Sequence, residues 1–296
     1  MKLFTKQEAE ALAFDFDPKN NETDRKVMER MNTILQGLRI RGTLEGGEAT
    51  DEWTWQHLNK VGEEVGRFAE ALGLPPKTCE NLRRAAPLHD AGKLAVPASL
   101  LNITRKPTDE EFARIKSHAK RGIKMLEAHK TDPFTSDHPM LALARDMAGG
   151  HHKHVSGGGY GHDASPSLAS RITALCDVFE AMTGDRPYHQ AGSDNPEMHR
   201  ESFADPMDYW KAKLAWKQKF TVGQALEIMI EPYDPSRPQF DAGLLKAFVN
   251  MKTKEFKDDP DQMPAQTRRK LLDFANKIEE SGMTRPAPGK APNLKQ

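Results

Sequence analysis

The stretch SPSLASRITALCDVFEAM, residues 165–182, carries the pattern that decides the fold. Its apolar side chains recur at intervals of three or four residues, at Leu168, Ile172, Leu175 and Phe179. This spacing is typical of an amphipathic helix that packs one face against a core. Ser165 and Pro166 form a cap and first-turn signal, so we expect the helix to begin there and to run through Met182.

A single aspartate lies inside this apolar helix. Asp177 is flanked by apolar residues in ITALCDVFEAM, where an uncompensated carboxylate would be costly to bury. A metal ion or a cationic partner would offset that cost. The structural alternative is a salt bridge to an arginine such as Arg171, and we favour the metal ion or cationic partner.

Helical patterns continue through the rest of the sequence, and convincing strand alternation is absent. Further helices are predicted over residues 23–39 and 50–72, and from Thr108, Pro139, Thr221 and Asp241. The helix from Thr108 should direct its apolar residues inward, namely Phe112, Ile115, Ala119 and Leu126. The sequence therefore predicts an all-α fold, a globular helical bundle.

The two ends of the chain differ in composition from its middle. Residues 1–49 end in the glycine-rich link GTLEGGE and predict a small N-terminal helical appendage. Residues 251–296 are rich in charge and proline. They predict one amphipathic helix near Leu271 to Ile278, followed by a disordered tail.

Composition limits the partners of the chain. Its 296 residues include 43 Lys and Arg and 43 Asp and Glu, so no global basic field points to duplex nucleic acid or to an anionic membrane. The N-terminus has charges where an apolar signal core should be, and no run approaches a membrane span. Two cysteines, Cys79 and Cys176, are too few for a disulfide framework. These features predict a cytoplasmic protein.

Histidines are concentrated in one part of the chain, since ten of the 11 fall between His57 and His189. Three lie on inward faces of predicted helices: His57, His118 and His151. A lone inward histidine is more often a hydrogen-bonded core residue than a metal ligand. Three of them, together with the pairs His89-Asp90 and His151-His152, instead indicate a metal site.

The segment AAPLHDAGK, residues 85–93, explains how His89 and Asp90 could face one centre. Neighbouring side chains diverge in a straight helix. Pro87 predicts a kink upstream of the pair, and Gly92 follows it. The kinked backbone would let both side chains turn toward the same point.

The ordered set of motifs resembles the HD-GYP family, a subgroup of the HD metal-dependent phosphohydrolases. The matching segments are LHDAGKLAVPASLLN (88–102), IKSHAKRG (115–122), HHKHVSGGGYG (151–161), SRITALCDVFEAMTGDRPYH (170–189) and, within residues 225–248, ALEIM followed by QFDAGLLKAF. The resemblance implies an HD-GYP-like catalytic domain over residues 50–250, with an insertion at about 190–220 that includes a candidate helix from Met207 to Lys219. It also implies hydrolysis of cyclic di-GMP to a linear dinucleotide, to GMP, or to both.

The family pattern carries over onto this sequence residue by residue. The implied ligands of a first metal are His57, His89, Asp90 and Asp177, and those of a second are Asp90, His118, His151 and His152. Asp90 and Lys93 would be catalytic. Lys93, Tyr160 and Arg186 would contact substrate. Two divalent metal ions are expected, iron or manganese by resemblance, although nitrogen and carboxylate ligands also suit zinc and cobalt.

The glycine-rich loop departs from the family pattern. Lys153, Ser156 and Gly161 stand where the family usually has Glu, Asp and Pro. Because glycines surround Tyr160, we expect this side chain to have little local restraint in the free protein.

The number of metals depends on the residue one turn before His57. Some relatives have a glutamate there that binds a third metal, whereas this chain has Trp53. Glu52 is the nearest acid, and it would point elsewhere unless the helix begins later. We therefore expect two metals.

Three functions stay open at this point. We favour an active two-metal phosphodiesterase for a cyclic dinucleotide, with cyclic di-GMP as the favoured substrate. The alternatives are a weak or inactive module that binds such a nucleotide as a sensor, and an HD phosphohydrolase for another nucleotide phosphoester. A homodimer through the N-terminal helix or the 190–220 insertion is also open.

Overall fold

A computed structural model describes residues 3–44, 50–101, 107–127, 137–184, 219–231 and 238–281. Of residues 41–44 and 50–53 it describes the backbone alone. Residues 190–218 of the predicted insertion at 190–220 lie outside the described residues, and so does its candidate helix from Met207 to Lys219 apart from its last residue. The predicted tail beyond residue 281 does too.

The described residues form helices connected by turns and loops. In chain order the α-helices are α1 (Lys6–Glu10), α2 (Glu22–Leu44), α3 (Thr50–Ala71), α4 (Pro76–Ala85), α5 (Ala98–Leu101), α6 (Asp109–Lys116), α7 (His118–Glu127), α8 (Pro139–Gly150), α9 (Leu168–Thr183), α10 (Val222–Ile230), α11 (Ala242–Glu255) and α12 (Ala265–Glu280). A 3₁₀ helix, Ala86–Ala95, follows α4 directly. An isolated bridge between Lys153 and Gly159 is the one β-type pairing in these ranges. The predicted all-α fold is confirmed.

Most helix starts follow the sequence signals. Capping boxes at Thr108 and Thr221 begin α6 and α10, and the Asp241 carboxylate caps α11. Helix α9 begins two residues later than the Ser165-Pro166 signal predicts, because the Ser167 hydroxyl accepts the Ser170 amide hydrogen bond at its N-terminus.

The single helix predicted from Thr108 through Leu126 is wrong. It is two helices, α6 and α7, which meet at Ser117. The Ser117 hydroxyl donates to the Arg114 carbonyl, which ends α6 and allows α7 to turn against the 3₁₀ helix. Helix α7 packs extensively against the 3₁₀ helix, whereas α6 does so far less, and Phe112 on α6 is 45% exposed rather than inward.

The core lies around α3 and α9. Phe68 of α3 and Phe179 of α9 both contact Phe248 of α11 edge to face, with ring centroids 5.0 and 5.3 Å apart. Two charged residues are buried beside these rings, where the Lys252 ammonium lies 2.6 Å from the Glu64 carboxylate. Pairing of this kind is what makes burial of such charges tolerable.

The N-terminal helices contribute to the same core. Side chains of α2 are buried against α3 and the 3₁₀ helix, namely Val27, Met31, Leu35 and Leu38. Arg171 of α9 pairs with Glu8 of α1, which connects the first helix to the centre of the bundle. The boundary at residue 49 and the homodimer stay predictions, and the apolar stripe of α2 faces its own chain.

Candidate metal centre

Five elements bring the predicted metal ligands into one cluster. They are His57 on α3, His89 and Asp90 on the 3₁₀ helix, His118 on α7, His151 and His152 directly after α8, and Asp177 on α9. All of these residues are buried except His152, which is half-buried. The structure therefore brings together every residue for which the sequence predicted metal ligation.

The 3₁₀ helix explains how two consecutive residues reach one centre. Helix α4 ends at Ala85, and Pro87 lies in the first turn of the 3₁₀ helix, as its missing N–H favours. This short helix is packed on several sides by α2, α3, α7 and α8. His89 and Asp90 are consequently both buried, and Nε2 of His89 lies 3.3 Å from Oδ2 of Asp90.

Asp90 lies between two groups of histidines. Its Oδ2 atom is 3.3 Å from Nε2 of His89 and 3.9 Å from Nε2 of His57. Its Oδ1 atom is 3.2 Å from Nε2 of His118 and 4.0 Å from Nε2 of His151. Each carboxylate oxygen thus faces a different pair of imidazoles.

Each side of Asp90 offers its own set of donor atoms. On one side, Oδ1 of Asp177 lies 3.2 Å from Nε2 of His57 and 3.5 Å from Nε2 of His89. On the other side the donors are His118, His151 and His152. Within each set, one donor atom per residue lies within 4.8 Å of the others. The cluster can therefore be divided into two adjoining sites.

Backbone carbonyls fix the orientation of three of the imidazoles. The Nδ1 atoms of His89, His118 and His151 lie 2.8 Å from the carbonyl oxygens of Ala86, Ile115 and Met147, respectively. An Nδ1–H donated to a carbonyl fixes the tautomer and leaves Nε2 available to a metal. In all three residues Nε2 is the atom that faces the cluster.

The carboxylates are held in their ionised form. Burial raises the pKa of Asp90, but the charges of Lys93 and His89 outweigh it and hold that pKa well below its usual range. Burial also opposes ionisation of Asp177, yet the adjacent imidazoles of His57 and His89 hold its pKa well below the usual value. Ionised carboxylates are the form that binds a cation.

The histidines differ in their protonation. Burial lowers the pKa of His118 and His151, and it lowers that of His152 to about 4, so these rings are neutral near pH 7. Burial also disfavours the charged form of His89, but Asp90 and Asp177 outweigh it and raise the pKa to about 10. A proton on His89 therefore balances the carboxylates, and a bound cation would displace it.

Two buried polar atoms test whether these residues fit a metal ion. Nε2 of His89 and Oδ1 of Asp90 form no hydrogen bond with any group in the described ranges. Such buried atoms are rare unless an ion or water satisfies them. Imidazole and carboxylate donors without thiolate suit a divalent transition metal, so the residues fit.

The predicted substrate-contacting residues lie at the edge of the cluster or outside the described chain. The Lys93 ammonium lies 2.5 Å from Oδ2 of Asp90, and its side chain is one-quarter exposed. The Tyr160 ring stacks on His152 with centroids 4.4 Å apart, and burial raises the pKa of its hydroxyl. Arg186 lies outside the described residues, as do the side chains of Glu52 and Trp53.

The expectation that Tyr160 has little local restraint is wrong. Its amide donates to the His152 carbonyl at 3.1 Å, while the Val155 amide donates to the Gln239 carbonyl at 3.2 Å. Gly159 and Gly161 have positive φ, and a Cβ at either position would overlap a backbone carbonyl oxygen. These glycines allow close backbone contacts, and the resulting hydrogen bonds hold the loop in place.

Two further residues refine the sequence predictions. Arg171 pairs with Asp241 at 2.5 Å and with Glu8, so the salt bridge considered for Asp177 is not formed. Glu180, three residues after Asp177 on α9, is hydrogen-bonded to Nδ1 of His57 and was not predicted. Its position one turn along the same helix face is the signal that could have identified it.

None of the helices in the described ranges is both long enough and apolar enough to span a membrane.

Comparison with known proteins identifies relatives of this chain. It is 32% identical over 171 residues to a cyclic di-GMP phosphodiesterase of Pseudomonas aeruginosa, which covers 57% of this chain and 38% of the relative. It is 28% identical over 191 residues to a 3′3′-cGAMP-specific phosphodiesterase of Vibrio cholerae, covering 63% and 33% of the two chains. It is 31% identical over 175 residues to the cyclic di-GMP phosphodiesterase response regulator RpfG of Xanthomonas campestris, covering 58% and 42%. The chain thus matches less than half the length of each relative.

A family model described as HD domain matches residues 48–199, which is more than half of the chain. The match includes all seven predicted metal ligands. Together with the relatives, it confirms the resemblance that the ordered motifs predicted. The chain belongs to the HD domain family.

Proposed function

We propose that this chain is a metal-dependent phosphodiesterase that hydrolyses a cyclic dinucleotide, with cyclic di-GMP as the favoured substrate. The observation that carries the proposal is the position of Asp90, whose two oxygens face separate histidine pairs. One carboxylate could thereby bridge two metal ions. The relatives named as cyclic di-GMP phosphodiesterases support the substrate class.

The ligand sets follow the division of the cluster. His57, His89, Asp90 and Asp177 would hold a first metal, and Asp90, His118, His151 and His152 a second. Iron or manganese is favoured. When bound, two such ions supply Lewis-acid polarisation of the phosphoryl group and lower the pKa of an attacking water.

Side chains at the edge of the cluster would act on the substrate directly. Lys93 is charged, partly exposed and adjacent to Asp90, so it can approach a phosphoryl oxygen and offset the negative charge that develops there. Tyr160 covers His152 with its ring and would exclude water from that side. Arg186 is proposed as a further substrate contact on the basis of the family pattern alone.

A second candidate substrate is 3′3′-cGAMP. Three relatives in Vibrio cholerae are named as phosphodiesterases specific for it, at 28%, 31% and 33% identity. The two dinucleotides share the phosphodiester ring and differ in one base. A base-contacting residue, rather than the metal ligands, would therefore distinguish them.

Turnover by metal-loaded protein tests the proposal. The parent should hydrolyse cyclic di-GMP, and Asp90→Ala should abolish turnover because the bridge is removed. Asp258→Ala is the matched control, since this aspartate is exposed and pairs only with Lys257 among the described contacts. Hydrolysis by Asp90→Ala at the parent rate would refute the assignment.

A panel of nucleotides and elemental analysis separate the remaining alternatives. Binding without turnover of any cyclic dinucleotide would indicate a sensor module, and turnover of another phosphoester alone would indicate a different HD phosphohydrolase. We expect two metal ions per chain in protein purified without chelator. A reproducible value of three would contradict the two-metal proposal.

A further inference from the structure

His57 differs from the other buried histidines in how its second ring nitrogen is held. His89, His118 and His151 each place Nδ1 against a backbone carbonyl three or four residues earlier in the chain. Nδ1 of His57 instead contacts the carboxylate of Glu180, which lies 123 positions away in the sequence and on another helix. This imidazole is therefore oriented by a charged side chain.

The contact is built into the core of the protein. His57 is 3% exposed and Glu180 is 7% exposed, so the hydrogen bond is shielded from water. On the opposite side of the ring, Nε2 of His57 lies 3.2 Å from Oδ1 of Asp177. Helix α9 therefore contacts both nitrogens of one imidazole through two carboxylates spaced one turn apart.

Gly184 provides the space that the Glu180 carboxylate occupies. A Cβ atom on Gly184 would overlap Oε1 of Glu180 and would lie 2.8 Å from its Cδ atom. The Gly184 amide also donates to the Glu180 carbonyl at 2.7 Å, which fixes the end of α9. The absence of a side chain at Gly184 thus determines where the carboxylate can lie.

We propose that Glu180 is a positioning residue for the metal site at His57. Its carboxylate accepts the Nδ1–H of His57, fixes the tautomer that leaves Nε2 unprotonated, and makes the ring a stronger donor to a cation. This inference rests on the proposed metal-dependent function, because it assigns Glu180 a role toward a metal that His57 would ligate.

Metal binding to the full-length, metal-free protein tests the inference. In titrations with Mn²⁺ at fixed pH, we expect Glu180→Ala to weaken one of the two binding events by about 10- to 100-fold and to leave the other unchanged. Glu180→Gln should be intermediate, because an amide oxygen still accepts the hydrogen bond but carries no charge. Glu255→Gln is the matched control, a partly buried carboxylate that pairs with Arg67 and Lys252 instead of a histidine.

Gly184→Ala provides an independent second variant. It keeps Glu180 but forces its carboxylate out of the position beside His57, so the same Mn²⁺ site should weaken. This variant decides the question if Glu180→Ala fails to fold. In ¹⁵N spectra of the metal-free protein, the Nδ1–H of His57 should also be protected from exchange in the parent by its bond to Glu180, and that protection should be lost in both variants.

The outcomes distinguish this inference from the proposed function. Parent-like Mn²⁺ affinity in Glu180→Ala and Gly184→Ala would overturn the role of Glu180 alone. Equal weakening of both Mn²⁺ sites would overturn it as well, because a general loss of packing predicts that result. Failure of the parent to bind Mn²⁺ would overturn the proposed function and, with it, the role of Glu180 toward a metal.

Discussion

Replacing Gly92 with alanine should displace the helix that carries His118. Gly92 lies in the 3₁₀ helix and faces the first turn of α7. A Cβ atom at this position would overlap the His118 carbonyl oxygen and the Gly122 amide nitrogen, and it would lie 2.8 Å from the His118 carbonyl carbon. Since carbon atoms pack at about 3.5–4.0 Å, the two helices must separate by roughly 1 Å.

That displacement acts directly on the candidate metal centre. His118 is the first residue of α7, and its Nε2 atom lies 3.2 Å from Oδ1 of Asp90. A shift of about 1 Å in a positioned group can lower a rate by about 100-fold, and we expect turnover of cyclic di-GMP to fall by that order. We also expect a cost of about 3 kcal/mol in the free energy of unfolding, because the overlapping atoms belong to the backbone and cannot rotate away.

Gly37→Ala is the control for this experiment. Gly37 lies on α2 and faces the same 3₁₀ helix, but its Cβ atom would lie 3.4 Å from the flexible side chain of Leu94. An alanine there should raise the free energy of unfolding by about 0.5–1 kcal/mol, since glycine is unfavourable inside a helix. Urea unfolding followed by circular dichroism, Mn²⁺ titration and dinucleotide turnover would measure all three effects.

Parent-like stability of Gly92→Ala would refute the expected displacement of α7. An unfolding cost with unchanged Mn²⁺ affinity would refute it as well, because a displaced His118 has to weaken the site that contains it. A loss of turnover in Gly37→Ala comparable to that in Gly92→Ala would show that even a substitution without a close contact impairs the site when it faces the 3₁₀ helix.

Three further predictions follow from individual contacts. Lys93→Ala should slow turnover by about 100- to 1,000-fold while both metals are retained, and loss of metal in elemental analysis would instead assign Lys93 a structural role. A hydrogen bond with Asp146 raises the pKa of His162. The stability that this hydrogen bond contributes is complete below the ordinary histidine pKa of about 6.5, and it is lost as pH rises through the raised pKa. The parent should therefore lose stability relative to His162→Gln above about pH 6.5, by a small amount because the pair is partly exposed, and parallel pH profiles would contradict this. The amides of Tyr160 and His162 donate to the carbonyls of His152 and Gly149, respectively. Both amides should therefore be protected from hydrogen exchange in the absence of nucleotide. Exchange at the rate of an unstructured peptide would be inconsistent with these hydrogen bonds.

The candidate site could be predicted from the sequence because burial of charge leaves local signals. Asp177 interrupts an apolar helix, and Pro87 interrupts a helical pattern directly before the His89-Asp90 pair. In the structure Asp177 contacts two histidines, and the helix break at Pro87 becomes a 3₁₀ helix. Each signal depends on the chemistry of one short segment, so no knowledge of the tertiary packing was needed to detect it.

Features that depend on tertiary contacts could not be predicted in the same way. The break between α6 and α7 contains neither proline nor glycine, and it arises where α7 turns to pack against the 3₁₀ helix. Glu180 has no distinguishing local pattern either, because its partner His57 lies on a distant helix. The spacing of three residues from Asp177 is the sequence feature that indicates that Glu180 lies on the same face of α9.

The glycine-rich loop shows which departures from the family pattern alter its shape. The backbone of Lys153 is held by the bridge to Gly159 and by the hydrogen bond that its amide donates to the Gly150 carbonyl, so its side chain can vary without changing the loop. Gly161 differs, because its φ of 128° cannot be adopted by the proline that the family usually has there. A side chain at Gly161 would also overlap the Gly149 carbonyl oxygen. Lys153, where the family usually has Glu, therefore changes the charge beside His152. Gly161, where the family usually has Pro, instead permits a backbone path that a loop with proline at this position cannot follow.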